Sequence, residues 1–148
     1  MASDDRRKLA VELFNHVWTL MEMPDRSPEQ DDEMIHAAHA SRHHWAEVGT
    51  GVNLGRGEWQ ISRVYVRLGR AEPALYHAGR CLAYCEASPD EIEDWDLPYA
   101  YEALSRAHLV AGNQEEAERF AGRARELAAQ VQDEHDREHL DEDLATLP

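Results

Sequence analysis

Apolar residues recur along most of this chain at every third or fourth position, the period of an α-helix packed on one side. Leu9, Leu13, Val17 and Leu20 predict a helix over residues 4 to 22, with Ser3 as its cap and Asp4 and Asp5 in the first turn, where negative charge is favoured. Pro24 ends it. Ser27-Pro28-Glu29-Gln30 restarts the chain: the serine caps, the proline suits the first turn, and the glutamine closes a capping box. Met34, Ala38, Ser41, Trp45 and Val48 then form the inner stripe of a helix from Pro28 to Val48.

Residues 49 to 52 form a connector, and Asn53 is the expected cap of a third helix that ends at Gly69. A fourth, over residues 72 to 87, carries the small stripe Ala74, Ala78, Cys81 and Cys85. After a turn and loop over residues 88 to 96, Asp96 and Pro98 open a fifth helix that stops at Gly112. A sixth spans residues 114 to 131, and Leu140, Leu144 and Leu147 predict a short helix folding back as a cap over residues 135 to 146. No alternation of period two persists anywhere, so the fold class is all-α.

The third and fourth helices return 43 residues later as the fifth and sixth. Ile61-Ser62-Arg63 becomes Leu104-Ser105-Arg106, Gly69 becomes Gly112, and Ala78-Gly79-Arg80 becomes Ala121-Gly122-Arg123. Self-similarity at such a period marks a stacked array of helical hairpins. The small residues Ser62, Gly69, Ala74 and Cys81, repeated as Ser105, Gly112, Ala117 and Ala124, resemble the tetratricopeptide repeat, as do the large Trp59 and Tyr65 on the first helix of the unit. Glu102 and His108 take the last two places in the second copy, and the spacing exceeds the family's usual 34 residues. The resemblance implies one domain: a right-handed stack of about three antiparallel hairpins (4–48, degenerate; 53–87; 97–131) with a capping helix.

It also implies a concave groove lined by the first helix of each hairpin. In that register Arg56, Trp59, Gln60, Arg63 and Arg67 face the groove, followed by Tyr99, Glu102, Arg106 and Val110. Such a face is similar to the carboxylate clamps by which some members of the family hold acidic peptide ends. Guanidinium groups bind carboxylates through paired hydrogen bonds. The bland reading is that these arginines pair with the chain's own carboxylates.

Charge sharpens that contrast. The chain has 148 residues, 30 acidic against 15 Lys and Arg, and a formal net charge of -15. A surface of that sign disfavours nucleic acid and anionic membranes. The opening MASDDRRK lacks the apolar run of a secretory leader, so a cytoplasmic setting is expected.

Three other sets could carry chemistry. His36, His39 and His43 lie within roughly a 60-degree wedge of the second helix, flanked by Asp32 and Glu47, with Glu12 and His16 available from the first. Imidazoles so spaced can share a divalent transition metal; a solvated helix face is the competing account. Cys81 and Cys85 with His77 form a ladder on the fourth helix, where small-residue packing is the simpler role. His135 and His139 sit in a charge-rich tail. No nucleotide-binding or hydrolase motif is present. The reading favoured is a non-catalytic module binding a protein, peptide or small acidic ligand, with no cofactor. The alternatives are a metal-binding protein or metal-dependent enzyme built on the histidine stripe, and a scaffold acting through homo-oligomers.

Overall fold

The computed structural model describes residues 1–148 as seven helices without a strand. They are α1 (Ser3–Met21), α2 (Pro28–Val48), α3 (Gly51–Arg67), α4 (Ala71–Ala87), α5 (Asp96–Val110), α6 (Gln114–Ala128) and α7 (Glu134–Leu144). The most extensive contacts join α1 to α2, α3 to α4 and α5 to α6. Across these pairs α4 meets α5, and α3 touches α1, α2 and α5.

The local signals act largely as their chemistry dictates. Ser27 and Gln30 form a full capping box, each side chain bonding the other's backbone N–H. Gly69 and Gly112 are the residues with positive φ, at 71° and 81°, closing α3 and α5. The amides that follow them reach back equally, Arg70 to Tyr65 and Asn113 to His108, each at 2.9 Å. Three expectations are corrected. Ser3 is the first helical residue and not a cap, because Ala2 takes the extended cap position. Helix α3 begins at Gly51, and Asn53 lies in its first turn with its side-chain oxygen accepting the Thr50 amide at 3.0 Å. Helix α6 stops at Ala128, so that Val131 turns inward to join Leu140, Leu144 and Leu147 under α7.

Small residues set how closely the pairs approach. The buried Ser62 hydroxyl donates to the Ala74 carbonyl at 2.8 Å, and Ser105 donates to Ala117 at 2.7 Å. Ala74, Ala78, Ala117, Ala121 and Ala124 are fully buried at these seams. The first pair uses a different device: Ser41, on the second helix of its pair, donates to the Ala10 carbonyl on α1 at 2.8 Å. Its core is also bulkier, with Val17, Leu20, Met21 and Met34 packed against Ile61 and Val64 of α3.

Candidate functional site

One groove runs along the face of α3. It encloses about 730 Å³, and its walls come from α1, α3, the segment 92–99 and α7. Helix α3 supplies the floor. Its positions 52, 56, 59, 63 and 67 recur at helical spacing, so Val52, Arg56, Trp59, Arg63 and Arg67 all point into the space.

Aromatic rings run across this floor. Trp18 lies 5.7 Å from Trp59 between ring centres, Trp59 lies 5.7 Å from Tyr99, and Tyr99 lies 6.3 Å from Trp95. These are tilted or edge-to-face contacts, the arrangement aromatic quadrupoles favour. Trp18, Trp95 and Phe14 were not among the residues expected from the repeat, since two precede it and Trp95 lies in its linker. The signal that could have found Trp95 is its proximity to Asp96, the residue that anchors the linker.

Asp96 is buried, and it takes both forks of Arg56 at 2.9 and 2.8 Å while accepting the Glu93 amide at 2.8 Å. Arg56 also lies over the Trp95 ring at 4.4 Å. Its hydrogen bond to Asp96 holds the guanidinium above the usual arginine range. Arg56 therefore faces the groove but is committed to holding the linker against α3.

Four residues expected on the groove surface, Gln60, Glu102, Arg106 and Val110, do not line it. Glu102 is completely buried. It accepts the Trp59 indole N–H at 3.1 Å, Arg106 at 3.2 Å and Arg63 at 3.5 Å. Burial pushes its carboxyl above the ordinary range, against the pull of the two arginines. Arg106 bonds Glu102, the Asp143 carbonyl and the Thr146 hydroxyl through Nη2 and so ties α7 to α5, while its buried Nε has no partner. Gln60 is buried and donates to the Phe14 carbonyl at 2.9 Å, joining α3 to α1. Tyr99 does reach the groove, where its hydroxyl donates to Asp143 at 2.8 Å. Burial and that bond raise its phenol well above the usual value.

Two arginines are left. Arg63 is largely buried, yet its one hydrogen bond is the 3.5 Å contact to Glu102. Burial and the nearby Arg106 push its guanidinium below the usual arginine range. Arg67, one turn on, is exposed and forms no ion pair within the chain. Around the rim stand Glu22, which caps the end of α1, and Asp136, His139 and Asp143 from α7. Cys81 and Cys85 complete the wall beneath Gly55, both buried free thiols packed with Ala100.

The histidine stripe of α2 is not brought together. His36 and His43 are exposed, whereas His39 turns toward α3 and bonds the Tyr65 hydroxyl at 2.9 Å. Glu12 pairs with Lys8, and His16 with Glu33 at 3.2 Å. No three His, Cys, Asp or Glu side chains are arranged to hold a metal ion. His39 instead joins a polar cluster between α2, α3 and α4. There Glu58, nearly buried, accepts from Arg42 at 3.2 Å and pairs with His77 at 2.5 Å. The His77 and Tyr65 rings stack with planes 15° apart. His77 thus serves this cluster and not the cysteines one turn along. His135 and His139 are exposed on α7, with His139 within 3.9 Å of Asp143.

Comparison with protein-family models, with curated proteins and with solved structures finds no match for this chain. No helix is long and apolar enough to cross a membrane.

Proposed function

We propose that this protein is a non-catalytic binding module whose groove holds a carboxylate-bearing partner, a peptide segment or a small acidic ligand. The observation that carries the reading is Arg63. A guanidinium with five donors sits at the floor of an aromatic groove and uses one of them, at 3.5 Å, while Arg67 beside it uses none internally. Donors so placed bind an incoming carboxylate with little reorganisation, and partial exclusion of water strengthens the bond. A tetratricopeptide-like stack of three hairpins is the architecture proposed for it. The matched Ser62–Ala74 and Ser105–Ala117 bonds and the side-by-side α3 and α5 support that reading.

Calorimetric titration with the tetrapeptide acetyl-Gly-Leu-Phe-Asp tests it. The wild-type protein should bind, and Arg63→Gln with Arg67→Ala should abolish binding while the cooperative thermal transition persists. Equal binding by the double variant would defeat the proposal.

A further inference from the structure

Resting on that reading, we propose that the preferred occupant is a small planar aromatic monoacid, its carboxylate on Arg63 and Arg67 and its ring against Trp18, Trp59 and Tyr99. Three observations select it. The groove's volume of about 730 Å³ is that of a small-molecule site, which runs to roughly 300–1,000 Å³. The charge pattern favours a single anion over several. Arg63 and Arg67 offer positive charge from α3, Arg56 being neutralised by Asp96, whereas Glu22, Asp136 and Asp143 stand at the rim, and the whole chain carries -15. A polyacidic segment would lay its further carboxylates against those of the rim, and like charges at close range disfavour binding. A monoacid lodges its one charge on the floor and meets the rim with neutral edges.

The third observation is the distance between the two recognition elements. The Arg63 guanidinium lies 6.0 Å from the centre of the Trp59 ring, and Trp18 and Tyr99 each lie 5.7 Å from that ring. A carboxylate held by Arg63 is therefore one short linker away from the Trp59 ring and its aromatic neighbours. An aryl ring carrying an acetate side chain spans that distance; an aliphatic acid leaves the aromatic faces without a matched partner.

Calorimetry with 1-naphthaleneacetate, 1-naphthaleneacetamide, cyclohexaneacetate and the acetyl-Gly-Leu-Phe-Asp tetrapeptide tests this. The naphthyl acid should bind at one site and outcompete the tetrapeptide. It should bind about ten- to a hundredfold more tightly than the amide, which cannot form charge-assisted bonds. The cyclohexyl acid should be about two- to tenfold weaker than the naphthyl acid. Arg67→Ala should weaken the naphthyl acid at least as much as the tetrapeptide. Binding of the tetrapeptide without the naphthyl acid, or a cyclohexyl acid as tight as the naphthyl one, would overturn the inference and leave the carboxylate reading standing. Equal affinity of acid and amide, or no binding by either acid or by the tetrapeptide, would overturn both.

Discussion

The Trp59 indole donates to the Glu102 carboxylate at 3.1 Å, and the two residues hold the same place in the two copies of the 43-residue unit. Equivalent positions meet because α3 and α5 lie side by side, so a difference between the copies becomes a contact between them. The tryptophan presents its ring to the groove, and the glutamate beneath fixes it and the two arginines flanking it.

Removing that carboxylate should be costly. Glu102→Ala would leave Arg63 and Arg106 buried without their shared counter-charge. Breaking a buried ion pair from one side typically costs about 3–5 kcal/mol. Urea denaturation should show a loss of this size, and a change under 1 kcal/mol would mean that the arginines find other partners.

The two serine bonds should be interchangeable in energy. Ser62→Ala and Ser105→Ala each remove a buried hydroxyl that donates to a helix carbonyl at 2.7–2.8 Å. Each should cost about 1 kcal/mol. The sites share no partner, so the double variant should lose their sum. A clearly unequal pair of single losses would show that the copies carry different loads.

The polar cluster between α2, α3 and α4 should weaken in acid. Burial, then the nearby His77, lower the His39 pKa in the folded state, partly opposed by Glu58. The unfolded chain then binds the proton more readily, and stability contributed above the ordinary histidine pKa is lost as pH falls through the lowered folded value. For Glu58, burial raises the pKa, but the His77 and Arg42 bonds outweigh it and leave it lowered. Its contribution is likewise held above the ordinary carboxylate range and lost below it. The groups facing these two are His36, His77, Arg42 and Tyr65. Urea midpoints followed from pH 8 to pH 4 should fall more gently for His39→Asn than for the wild type between pH 7 and 5. Parallel curves would remove His39 from this account.

Arg106→Ala should loosen α7 selectively. The residue bonds the Asp143 carbonyl and the Thr146 hydroxyl, each at 2.8 Å. Arg125 adds bonds to the Leu144 and Leu147 carbonyls, and Leu140, Leu144 and Leu147 supply burial. Amide exchange by mass spectrometry should therefore accelerate over residues 134 to 147 while α1 to α4 stay protected. Uniform acceleration along the chain would show α7 to be part of one cooperative unit.

Helix number and the turn glycines were legible because each rests on a local rule: a period, a cap, a position that requires positive φ. Pro28 and Val48 bound α2 as its capping signals predict. The groove was legible only in part. Arg56, Trp59, Arg63, Arg67 and Tyr99 line it as the register implies, but Gln60 and Glu102 are buried below its surface and Arg106 turns away to bond α7. A helical period of 3.6 gives direction and not depth; whether a side chain ends in a groove or under it depends on how near the next helix stands. The match at His108 looked weak for the same reason. It stacks on Phe120 with planes 15° apart, as Tyr65 stacks on His77, so the two ring types have exchanged places across the pair. Comparing single positions misses such an exchange; comparing contacts does not.

Helix α7 contributes Asp136, His139 and Asp143 to the groove, and its tie to Arg106 holds the residue that shares Glu102 with Arg63. During synthesis, then, α1 to α6 can leave the ribosome and begin to pack while the pocket has only three of its walls. The groove takes its final shape only after residues 134 to 147 emerge and dock.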